Sequence, residues 1–107
     1  MLTVIAEILT NSEHGLKTVI GSFKAIQTTV LQEVGCHGYD VYVDSTADAV
    51  INSSMQSKVP YSLVMYEQWE TMQHLEAHMQ TEHMQAHFEA VKDLVLGVNI
   101  RILEKGI

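Results

Sequence analysis

The chain has one cysteine, one proline and only six lysine and arginine residues among its 107. Each scarcity excludes something. With Cys36 alone, no disulfide can form within the chain, and a reducing cytoplasm fits that cysteine usage. The one proline, Pro60, closes a small, polar stretch over 45–60 that reads as a loop. Six scattered cations against thirteen acids leave a net charge of −7 and no basic stripe. That balance excludes nucleic-acid backbone binding and disfavours anionic membrane surfaces. No apolar run approaches the length of a membrane span, and MLTVIAEILT lacks the cationic start of a secretory leader. What the chain does have is a hydrophobic share of 47%. That is a globular composition, and the length predicts one domain, 1–107, around one modest core.

Periodicity supplies the elements. LTVIAEIL (2–9) is short and β-branched, which reads as a strand. Asn11 and Ser12 then offer helix caps. Leu16, Val19, Ile20, Phe23, Ile26, Gln27, Val30, Leu31 and Val34 recur at three and four residue intervals, the stripe of one long helix that Gly35 ends. HGYDVYVD (37–44) alternates as a second strand, and the polar loop that follows allows a short extended piece near 49–51. YSLVMYEQW (61–69) is a third strand. Thr71 caps a helix over 72–79. Thr81 caps another, whose stripe is Met84, Phe88, Val91 and Val95 and whose stop is Gly97. VNIRILE (98–104) is the last strand. Strand, helix, strand, strand, split helix, strand specifies an α+β ferredoxin-like sandwich, a four-stranded antiparallel sheet with its helices on one face. The strands are apolar on both faces, as Ile5 and Leu9 opposite Val4 and Ile8 illustrate. The uncovered face therefore predicts a homodimer with two sheets packed together.

Four of six histidines fall in HLEAHMQTEHMQAH (74–87). At about 100° per residue, His74 pairs with His78 and His83 with His87. In an unbroken helix the two pairs point opposite ways; only a break near Gln80–Thr81 brings them together. No HExxH and no Cys or Asp cluster completes a metal site, so no metal is expected. His74 and His83 lie off the apolar stripes and read as solvated. His78 and His87 border those stripes and can reach between helix and sheet, where a half-buried imidazole moves protons.

VIAEI (4–8), EVGCHGY (33–39), EQWET (67–71), LEAHMQTEHMQAH (75–87) and NIRIL (99–103) resemble the antibiotic biosynthesis monooxygenase family, and within it the bacterial quinol monooxygenases. The resemblance implies a dimeric α+β barrel with a pocket between sheet and helices in each subunit. It implies oxidation of a quinol or similar flat aromatic by O2 with no cofactor. On that basis His78, Glu67 and Trp69 are the expected catalytic residues. His78 would be base or donor, Glu67 would orient a His or take a proton, and Trp69 would wall a flat ring. Tyr39, Met65, His87 and Phe88 are expected to bind the substrate. Arg101 or a His is the expected structural partner of Glu67. Cys36, with no base placed by spacing, reads as a small buried hydrophobe. Other relatives degrade haem; those keep an Asn where Ile8 stands and a His where Phe88 stands, with His87 one step off on what reads as the wrong face. Others isomerise a phosphorylated sugar and lack the Trp. A non-catalytic protein that only binds quinones is the remaining alternative.

Overall fold

Alternation of apolar residues builds the first strand, β1 (Leu2–Thr10), with Val4, Ala6, Ile8 and Thr10 buried along one side. Ser12 then caps α1 (Glu13–Leu31) by accepting from the Gly15 amide at 2.9 Å, which satisfies one of the free donors of the first turn. The chain continues through β2 (Cys36–Tyr42), β3 (Ser62–Trp69), α2 (Met72–Met79), α3 (Glu82–Val91) and β4 (Val95–Leu103). These elements come from a computed structural model that describes residues 1–47 and 54–107. The extended piece expected near 49–51 lies outside the described residues. The strands pair antiparallel in the order β2-β3-β1-β4, which is the ferredoxin-like arrangement.

The core lies between the helices and one face of the sheet. Val19, Phe23 and Val30 of α1 pack on Val4, Ala6 and Ile8 of β1 and on Leu63 and Met65 of β3. Each of these side chains larger than Ala6 contributes roughly 1.5–3 kcal/mol by leaving water. The stripe of α1 holds as far as Val30; Leu31 and Val34 are exposed. No helix among the described residues is long and apolar enough to cross a membrane.

The second expected helix end is corrected. α3 stops at Val91, and a turn in which the Leu94 amide donates to the Val91 carbonyl leads directly into β4. Val95 is thus a strand residue, and Gly97 stops nothing. Phe88 also leaves the inner stripe: it is 37% exposed, while His87 beside it is 4% exposed.

The helix layer covers three strands of the four. Val98, Ile100 and Ile102 pair with Ile8, Ala6 and Val4 and so face the helix side. Yet they are 53%, 53% and 44% exposed. The opposite, helix-free face is mixed. Ile5, Leu9, Val64 and Tyr66 are half-buried there, next to Glu7, Gln68 and the exposed Arg101.

Candidate active site

The break in HLEAHMQTEHMQAH is at Thr81. Its hydroxyl donates to the His78 carbonyl at 2.8 Å, closing α2, and accepts from the Met84 amide, opening α3. One side chain therefore ends one helix and begins the next. The change of direction brings His78 and His83 together, their rings tilted and their centroids 6.4 Å apart. His87 continues inward along α3. His74 stays at the start of α2, with its Nδ1 2.8 Å from the hydroxyl of Thr71.

A residue that the spacing did not reveal joins the pair. Glu33 Oε2 lies 2.9 Å from His78 Nδ1 and 2.8 Å from His83 Nε2. His83 is therefore not the freely solvated residue expected of it. Glu33 sits in the tight turn after α1, where its amide donates to the Val30 carbonyl and its carbonyl accepts from Cys36. Gly35 makes that turn possible. Its φ is +82°, and a Cβ there would stand 2.3 Å from the ring of His74.

Glu33 sets the state of His78. A carboxylate oxygen only accepts, so His78 must donate from Nδ1 and keep the lone pair of Nε2. Nε2 has no protein partner among the described residues and is not sealed off, so it opens on the cavity that His78 lines. Burial lowers the pKa of this imidazole, and the bond to Glu33 opposes the shift. Trp69 packs against the ring at 4.6 Å and Tyr39 at 5.4 Å.

His87 faces the same cavity with a different partner, the Ser22 hydroxyl, 2.7 Å from Nδ1. Burial first, and then the nearby His78, push it down to about 4, so it is neutral. Its inward position also removes one ground for setting haem aside: His87 is buried on the cavity side, with Phe88 at the mouth. Ile8, at the position where haem-degrading relatives keep an Asn, lines the cavity and supplies no polar group. Ser22 borders the α1 stripe, three residues after Val19 and four before Ile26, and nothing else in the sequence marks it.

The cavity measures about 500 Å³, within the range of small-molecule sites. Val4, Ala6, Ile8 and Met65 form its floor, and Glu67, His78 and His87 are the buried polar groups on it. It opens past Phe88, Lys92 and the uncovered row of β4. Burial raises the carboxyl of Glu67 above its ordinary range. Its partner is neither Arg101 nor a histidine: the Trp69 indole N–H donates to Oε1 at 2.9 Å. Tyr39 donates to the Met84 sulfur at 3.7 Å, and burial raises its phenol so far that it stays neutral.

Trp69 is a correction. Its ring is 0% exposed and lies outside the cavity lining, so it walls no ligand. It stands behind His78 and beneath Glu67 and holds both. Cys36 is half-buried, with a thiol pushed up by burial, which suits packing rather than nucleophilic attack.

The sequence profile of the antibiotic biosynthesis monooxygenase family matches residues 1–90. The chain belongs to that family. Among curated antibiotic biosynthesis monooxygenase relatives, "Probable quinol monooxygenase YgiN" of Escherichia coli K12 is 55% identical, with both chains covered in full. The crystal structure of PA3566 from Pseudomonas aeruginosa superposes with a TM-score of 0.77 at 26% identity, over 97% of this chain and 92% of that one. Rv0793 from Mycobacterium tuberculosis superposes at 0.74 and 22% identity, over 97% and 93%, a likeness of fold alone.

Proposed function

We propose that the protein is a monooxygenase that oxidises a quinol, or a similar flat aromatic, with O2. The observation that carries this reading is an apolar cavity lined by the imidazole of His78, whose Nδ1 is tied to Glu33 at 2.9 Å. The E. coli relative, named a quinol monooxygenase, supports the substrate class. The reaction converts a quinol and O2 into a hydroxylated quinone and water. Its slow part is making the electron-rich anion, because a quinolate passes an electron to O2 without help from a resident cofactor. His78 Nε2 takes the phenolic proton. Glu33 stabilises the imidazolium that forms, as a carboxylate does for a histidine base. Glu67, whose neutral form burial favours, donates a hydrogen bond to the developing oxyanion from the oxygen that Trp69 does not hold. Met65, Tyr39, His87 and Phe88 shape the slot, and Trp69 positions the two groups that act.

We further propose a homodimer through the helix-free face, where Ile5, Leu9, Val64 and Tyr66 are only half-covered. A lone 12 kDa species in sedimentation at micromolar concentration would remove it. The lone Cys36 supports a reducing, cytoplasmic setting.

The test of the reaction is oxygen uptake with chemically reduced naphthoquinones. The expected result is uptake above the uncatalysed background in the wild type and its loss in His78→Ala. Uptake equal to background would sink the enzymatic reading. Binding of quinone without turnover would leave only a carrier.

A further inference from the structure

We propose that Glu33, His78 and His83 form a binding site for a late first-row divalent metal ion of the zinc class. The three side chains come from three elements: the turn after α1, the end of α2 and the start of α3. Their donor atoms all lie within 4.8 Å of one another. Two imidazole nitrogens and one carboxylate oxygen are a donor set that zinc and its neighbours accept, and three protein ligands leave a fourth position for water. Burial grades outward from His78 at 1%, through Glu33 at 15%, to His83 at 23%. His78 is thereby held in place, and His83 gives an ion its way in.

Without metal the trio is held by two hydrogen bonds to a single oxygen. Around zinc, with bonds of about 2.0–2.2 Å, the ligand atoms stand about 3.4 Å apart. Reaching that spacing opens the present 2.8 and 2.9 Å contacts by about half an ångström and draws the two imidazole nitrogens, now within 4.8 Å of each other, closer together, which the partly exposed side chains of Glu33 and His83 can supply.

Such a site controls the cavity, a consequence that rests on the function proposed above. The ring of His78 divides the two compartments: Nδ1 faces Glu33 and Nε2 faces the cavity. A metal on Nδ1 displaces the proton there and obliges the neutral ring to carry it on Nε2. The cavity then meets a donor instead of an acceptor, and His78 cannot take a proton from the substrate. Metal binding and proton removal are mutually exclusive, and the ion is an inhibitor.

The experiment is a titration of untagged, chelator-treated protein with Co2+, followed by displacement with Zn2+. The expected result is one equivalent per chain with visible d–d absorption of a four- or five-coordinate ion. His83→Asn and Glu33→Gln should each weaken binding by at least about 10-fold, the scale on which even outer partners of a ligand act. His14→Ala, at an exposed position near the start of α1, should leave it unchanged. No saturable binding, or binding that survives both site variants, overturns the site. Oxygen uptake is the separate second arm. Zn2+ should slow it in the wild type, reversibly with chelator, and slow His83→Asn at least about 10-fold less effectively. Undiminished uptake at full occupancy overturns the inhibition. Uptake absent from metal-free protein counts against the enzymatic reading alone, and the Co2+ titration still decides the site.

Discussion

Two buried imidazoles look into one cavity, and their partners make them different groups. His78 has a carboxylate on Nδ1; His87 has a hydroxyl. A carboxylate can only accept, so it fixes which nitrogen of His78 carries the proton and opposes the effect of burial. A hydroxyl both donates and accepts, so Ser22 fixes neither, and burial carries His87 down to about 4. Two rings with similar burial thus divide into a base with a defined lone pair and a neutral wall. The difference arises from one residue 45 positions away from the histidine it governs.

Removing the base should have the largest effect. His78→Ala is expected to lower the rate of oxygen uptake by about 10²- to 10⁴-fold, the usual contribution of a general base, while His87→Gln should cost far less. Equal losses in the two variants would erase the distinction.

The second prediction concerns acid. Folded His87 titrates near 4, below the ordinary value of 6.5. Between those values the unfolded chain binds a proton that the native protein refuses. Its contribution to stability is therefore complete above pH 6.5 and is lost as pH falls toward 4, by up to about 3 kcal/mol. Glu67, shifted the other way, acts with opposite sign, so the wild type is compared with His87→Gln in urea unfolding across that range. The variant should show a flatter acid limb. Parallel limbs would mean that the ring is hydrated in the native state.

The third prediction tests the partner. Glu33→Gln can still accept a hydrogen bond but cannot stabilise an imidazolium, and should slow oxygen uptake by about 10- to 100-fold at unchanged folding. A wild-type rate would show that His78 needs no orientation. The smallest effect belongs to the hydroxyl. Ser22→Ala should cost about 1 kcal/mol in unfolding and little activity, since it leaves His87 Nδ1 without its bond. A large loss of rate there would make His87 a participant.

The same contrast explains what the sequence could disclose. β1, β3 and α2 were legible to within a residue or so, because alternation, Thr71 and the 3.6-residue stripe all agree on them. The end of α3 was not, since Val95 continues the spacing of Met84, Phe88 and Val91 by coincidence and Gly97 resembles a stop. The inward lean of His78 and His87 was legible from their neighbours on the stripe. Glu33 was not, because a contact across 45 and 50 residues leaves no local period. Alternation with Met65 and Glu67 puts Trp69 on the inner face of β3, but it says nothing of whether a space or another ring lies above it.

Gly35 shows how far that long contact reaches. It carries no functional group, yet one added methyl would meet the ring of His74 and strain a backbone that only glycine holds comfortably. The turn would have to yield, and Glu33, two residues upstream, would move with it. A random mutagenesis screen scored on turnover would rank this position among the chemically active ones, although nothing at it ever meets the substrate.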